Sequence, residues 1–163
     1  MQRSALLVPT AAALVLAASC SSGPGPDVDD RTGAIYAATV RAVVGDRTTE
    51  DTDPGPVFVA TARPEQSISL EVQAEMVEDL HDYATLRFVD ERTEAILEDD
   101  PEQPVADEGV LVELGEIDEQ GNTAIVDAER YENVDAQRHY RVRATRNDET
   151  WTATATAAPV STG

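Results

Sequence analysis

The chain has 163 residues and carries 12 arginines, no lysine and 32 aspartates and glutamates, for a formal net charge of −20. Such a surface repels phosphate backbones and lacks the cationic footprint of a nucleic-acid binder, so no nucleic-acid partner is expected. A single cysteine excludes an intramolecular disulfide, and with aromatic residues at 4 % any core must be built mostly from Val, Leu, Ile and Ala.

The opening "MQRS" supplies Arg3 and the chain's own amine ahead of an apolar run, Ala5 to Ala18, interrupted only by Pro9 and Thr10. Its 14 residues are too few to span a bilayer, which takes about 20. The run reads as the apolar part of a signal peptide over residues 1–19. Ala17-Ala18-Ser19 would satisfy an ordinary signal peptidase, but Cys20 follows directly. Leu16-Ala17-Ala18-Ser19-Cys20 resembles the lipobox of bacterial lipoproteins, with the leucine one place early and Ala17 in its position. The resemblance implies cleavage between Ser19 and Cys20 and a lipid anchor of diacylglycerol and fatty acyl (palmitate) chains on Cys20. A thiol is the side chain best suited to attack a lipid donor near neutral pH, and two or more chains hold where one anchors only marginally. Loss of residues 1–19 would leave 11 arginines against 32 acids, a charge of −21.

Residues 20–29 follow as a tether. "SSGPGPDVDD" holds too little apolar surface to order itself, and ten residues reach about 35 Å at full extension. Residues 30–158 are then expected to form one domain, and 159–163 a short tail.

From Asp30 to Val44, Ile35, Tyr36, Val40, Val43 and Val44 recur at helical spacing, and Gly45 ends the pattern. "GDRTTEDTDPGP" reads as an acidic loop and Val57 to Ala62 as a short strand. Ser69 is the expected N-cap of a second helix from Leu70 to His81, with Glu71 in its first turn and Val72, Met76, Val77 and Leu80 facing the core. Ala84 to Val89 reads as a strand, and Leu97 to Gly109, acidic and proline-rich, as an exposed loop.

Val110 to Ile117, Thr123 to Tyr131, Gln137 to Arg146 and Thr150 to Ala157 alternate with period two and are separated by turn residues. The expectation is a four-stranded antiparallel meander. A loop centred on Asp135 would set Asp127 opposite Arg143, Glu129 opposite Arg141 and Tyr131 opposite His139, pairing unlike charges on one face. A turn at Asn147-Asp148 would set Trp151 opposite Ala144.

The order of elements from Asp30 to Ala157 resembles the cystatin-like or NTF2-like α+β plan: an N-terminal helix and a β-α-β unit, then a meander curved into a cone around the helix. That resemblance implies a pocket between helix and sheet, lined by Tyr36, Tyr83, Tyr140 and Trp151, for a small apolar ligand or an NTF2-like enzymatic reaction. "RFVDERTEAI", "GVLVELGEI" and the terminal strand opening with Trp151 are similar to segments of uncharacterised actinobacterial lipoproteins, which implies a cell-envelope location. Arginine use without lysine, typical of a high-GC genome, accords with that source.

No phosphate-binding glycine loop, nucleophile elbow or HExxH pair occurs. His81 is expected to sit at the end of the second helix, where the dipole favours a cation, and His139 on a solvated stripe with Arg141 and Arg143. That stripe would be neutralised by Asp127 and Glu129, or else would accept an anionic partner. Glu116, Asp118 and Asp127 fall at positions one, three and twelve of an EF-hand-like spacing, with Gln120 and Gly121 at five and six. The flanking strands make a hairpin turn the expected structure, with weak calcium binding as a further reading. No nucleophile, base and orienting group stand together, and no cofactor is expected. The functional expectation is a non-enzymatic interaction or accessory module, lipid-anchored on the extracytoplasmic face of the cell membrane and meeting an envelope protein partner.

Overall fold

The structure is a computed structural model in which residues 28–45, 55–63 and 65–158 are described. The signal peptide, Ser19, Cys20, most of the tether, residues 46–54 of the acidic loop and the tail lie outside the described residues. Two helices and a six-stranded mixed sheet make an α+β architecture. The elements are α1 (Val28–Val44), β1 (Val57–Thr61), α2 (Leu70–Leu80), β2 (Leu86–Phe88), β3 (Val110–Gln120), β4 (Thr123–Tyr131), β5 (Gln137–Asn147) and β6 (Thr150–Ala157). The strands lie in the order β2-β1-β3-β4-β5-β6.

β1 runs parallel to both β2 and β3, whereas β3 to β6 pair antiparallel in sequence order. α2 crosses from β1 to β2 on one side of the sheet, and residues 89–109 return across the other side to β3. Opposite directions on opposite faces give both parallel connections the same hand, as chains of L-residues require.

The helix side holds most of the core. Ala37, Val40 and Val43 of α1 and Val72, Met76 and Leu80 of α2 pack on Val57, Val59, Val112, Leu114 and Val142. Ile35, nearer the start of α1, covers Ala124, Val126, Ala144 and Trp151. The helices approach closely at Gly33, where a Cβ would fall 2.5 Å from the Glu75 Cβ, so no larger residue fits without moving a helix. Ser69 caps α2 through its side chain, which accepts from the Val72 amide at 3.3 Å. Val77, expected in the core, is 46 % exposed. At position 77 α2 has turned away from the sheet, and Met76 and Leu80 fill the interface in its place.

The segment expected to be an exposed loop, 97–109, is partly core. Val105 is 2 % exposed and, with Ala95, packs on Phe58, Ala60, Leu111 and Tyr131 on the side of the sheet opposite the helices. Its acidic neighbours mask this in the sequence, because only one apolar residue in several points inward.

The meander registers differ from expectation by two residues. Asp127 stands opposite Arg141, Glu129 opposite His139, Tyr131 opposite Gln137, and Arg143 opposite Ile125. Trp151 stands opposite Arg146, and Ala144 opposite Ala153. The β4–β5 loop is centred on Val134, whose amide donates to the Glu102 carbonyl at 3.2 Å, and the last turn uses Asp148-Glu149. Moving a loop centre by one residue moves the partner by two, which keeps every side chain on its face.

Candidate functional site

Beside its last strand the sheet carries a groove of about 660 Å³. Its wall on α1 is made of Ala34, Ala37, Ala38 and Ala42, its floor of Trp151 and Ala153 of β6. Small residues at the border of the core stripe of α1, Ala37 belonging to both, leave the depression open, because a methyl reaches too short a distance to close the space beside β6. Glu75 and Asp79 from α2 and Glu149 from the β5–β6 turn form the rim.

None of these three carboxylates makes an ion pair among the described residues. Arg41, the cation of the groove, is committed elsewhere: its Nη2 donates to the Asp79 carbonyl at 3.0 Å and its guanidinium lies 5.3 Å from the Tyr83 ring centre. Burial first, and then the charges of Asp79, Asp30 and Glu78, raise the Glu75 carboxyl above the usual carboxylate range. With three carboxylates against the one guanidinium, the described lining of the groove is net negative.

β6 borders this groove and, among the described residues, pairs with β5 alone. It is eight residues long, uncharged and free of proline, and its pairing runs without a bulge. Threonines 150, 152, 154 and 156 point away from the helices, and Trp151, Ala153 and Ala155 towards them. The opposite edge, β2, has only three residues. Native sheets commonly blunt long edges with charge, proline or bulges, and β6 has none of these.

A second polar cluster lies on the side away from the helices. Glu113 and Glu129 stand directly opposite each other on β3 and β4. Arg92 Nη1 donates to both, at 2.5 and 2.7 Å, with its guanidinium 4.1 Å from the Tyr131 ring centre. Gln137 donates to Glu129 at 2.6 Å, and His139 Nδ1 lies 3.3 Å from its other oxygen. Burial, ahead of the opposing attraction of Arg92, raises the Glu113 carboxyl, and Glu129 adds to the rise. Burial works against the Arg92 charge, but its bonds and attraction to the two carboxylates prevail and raise its pKa further. Every strong group in the cluster has a partner, so the arrangement serves to clamp residues 89–109 to the sheet.

The four aromatic residues expected to share a pocket do not converge on the groove, which takes only Trp151 from among them. Tyr36 lines a separate depression with Ile68, Ser69 and Glu116, and its hydroxyl donates to the Gly115 carbonyl at 3.0 Å. Burial, followed by the charge of Glu116, raises the Tyr36 pKa above its ordinary value. The Tyr83 hydroxyl donates to the Gly45 carbonyl, and Tyr140 packs on the main core.

Glu116, Asp118 and Asp127 have separate surroundings. Arg63 at 2.5 Å and Gln66 at 3.2 Å hold Glu116, Asp118 stands opposite Ile125, and Arg141 lies 3.2 Å from Asp127. Among the described residues no group of three or more His, Cys, Asp or Glu side chains is placed to hold a metal ion. His81 is the C-cap residue of α2, its Nδ1 2.6 Å from the Glu78 carbonyl. Arg143 faces Ile125 and has no acidic partner among the described residues, so of the expected stripe Arg141 meets Asp127 and His139 lies beside Glu129, while Arg143 is left out.

Sequence reasoning missed both the groove and the Arg92 clamp. The only local trace of the groove was the run of small residues at 34, 37, 38 and 42 inside a helical pattern; the acids that rim it come from α2 and a distant turn. In comparisons with family models, with curated proteins and with solved structures, nothing matches this chain.

Proposed function

We propose that this chain is a lipid-anchored envelope lipoprotein whose α+β body serves as a non-enzymatic interaction module outside the cytoplasmic membrane. The observation that carries the proposal is Cys20, the chain's one cysteine, set where the apolar run ends and a tether of Ser, Gly, Pro and Asp begins. Among the described residues no helix is long and apolar enough to cross a membrane, so attachment would rest on the lipidated thiol. The body adds a long strand edge left unpaired among the described residues and an acid-rimmed groove, which are features suited to engaging another chain.

The test is fractionation of the native host with the intact mass of the mature protein, followed by photo-crosslinking in the envelope from exposed positions all round the body. A membrane-bound species beginning at Cys20 with added lipid mass, and a reproducible protein adduct from at least one face, are expected. A free unlipidated chain, or no adduct from any face, defeats the proposal.

The cystatin-like or NTF2-like reading of the fold belongs to the second proposal, a small-molecule-binding protein or NTF2-like enzyme. α1 laid across β3 to β6 supports it, and the groove volume lies within the range of ligand pockets, roughly 300–1,000 Å³. Trp151, on the groove floor, is its reporter: unchanged fluorescence across a panel of apolar and cationic small molecules removes this reading.

A further inference from the structure

The outer edge of β6 and the groove beside it lie on one surface. A strand added next to β6 would run about 4.8 Å away, and alternate side chains would point to the helix side, where the groove opens. The alanines of α1 leave room there for apolar side chains. The rim carboxylates of Glu75, Asp79 and Glu149 make no ion pair among the described residues, and they outnumber the one cation of the lining, Arg41, whose guanidinium is turned to a backbone carbonyl and an aromatic ring.

A second copy of this chain is a poor occupant. Two β6 strands side by side would bring two acid rims together on bodies of net charge −20 each, and like charges across an interface oppose pairing.

We propose that β6 and its groove receive an extended basic segment of a partner protein as a seventh strand. The backbone of that segment pairs with β6, its small apolar side chains enter the space between α1 and Trp151, and its Lys or Arg residues meet Glu75, Asp79 and Glu149. Main-chain pairing supplies affinity that depends little on sequence, and the alternate side chains supply selection. The inference rests on the interaction-module reading and names the partner's chemistry.

The test is a titration of the isotope-labelled full-length chain with the peptide Lys-Thr-Ala-Thr-Val-Thr-Ala-Thr-Lys, which places Lys, Ala, Val, Ala and Lys on one face. Amide shift changes concentrated in Thr150–Ala157 and along Ala34–Ala42 are expected. Replacing the central valine of the peptide by proline should abolish them. The variant Glu75→Gln/Asp79→Asn/Glu149→Gln, made at surface positions that leave the core intact, should weaken binding about tenfold, while Asp127→Asn on the opposite side should not.

Absence of binding at millimolar peptide overturns the inference. So do shifts spread over the acidic surface and unaffected by the proline, which mark simple charge attraction, and β6 shifts that depend on protein concentration without peptide, which mark a second copy. Crosslinks in the envelope only from positions such as Arg143, away from the groove, would overturn strand addition and leave the interaction-module reading standing. Loss of every adduct would defeat both.

Discussion

Glu113 and Glu129 face each other across the β3–β4 ladder, and one guanidinium, that of Arg92, hydrogen-bonds to both. Like charges directly opposite on a sheet repel, so this pair holds only because a residue far away in sequence is carried to it by the β2–β3 connection. Their side chains are 16 % and 15 % exposed, which makes them costly to leave without a cation.

Arg92→Leu should therefore destabilise the fold by about 1–3 kcal/mol, the cost of stripping a hydrogen-bond partner from partly buried charged groups. Urea denaturation reads the loss. The triple variant Arg92→Leu/Glu113→Gln/Glu129→Gln should recover most of it, since no charge is then left uncompensated. A single variant as stable as the wild type would show that the clamp contributes little.

The raised Glu113 carboxyl makes a pH prediction. Between the ordinary carboxylate pKa and the raised one, the folded state holds more protons than the unfolded state. Stability contributed by this group is thus complete below the unfolded pKa and lost as pH rises through the folded one. Glu113→Gln does not titrate, so its stability relative to the wild type should increase from acidic to neutral pH. Parallel urea midpoints along a pH series check this; a difference that is flat or falls with pH refutes it.

Gly33→Ala tests the helix contact. The added methyl would meet the Glu75 Cβ, which is fixed to the α2 backbone and cannot swing aside as a side-chain tip could. Overpacking of this kind costs about 1–3 kcal/mol, against a gain in helix propensity of about 1 kcal/mol. The expected net result is a lower melting temperature, measured by circular dichroism. An unchanged or raised value would show that the helices can part without loss.

Tyr36→Phe removes the hydroxyl that donates to the Gly115 carbonyl, where β3 is irregular between Leu114 and Ile117. A loss of about 1 kcal/mol is expected, with faster amide exchange near Gly115. Exchange that changes elsewhere while Gly115 stays protected would exclude a role for Tyr36 in holding this irregularity.

How much of the molecule was legible follows from the range of each interaction. The N-cap at Ser69 and the core positions Val72, Met76 and Leu80 of α2 could be read locally, because capping and helical periodicity involve residues a few places apart. Val77 could not, since the side of α2 left bare depends on how the helix lies against the sheet. Val105 and Arg92 were hidden because their partners, Tyr131 and the two carboxylates, come from other strands. The groove was hidden for the same reason: its floor, its wall and its rim belong to β6, α1, α2 and a turn.

The sequence by itself determined which residues share a face. Val126, Ala128, Val142 and Ala144 fall on one side, and Asp127, Glu129, His139 and Arg141 on the other, because strand alternation is set by backbone geometry within a few residues. Only the tertiary structure decided which of them meet. A register moved by two residues leaves the faces and the sign of several cross-strand pairs unchanged, so charge and hydrophobicity could not choose between Arg141 and Arg143 as the partner of Asp127. The register goes with the centring of the β4–β5 loop on Val134, whose amide is bonded to the Glu102 carbonyl on the far side of the crossover. No local pattern in the sequence records that bond.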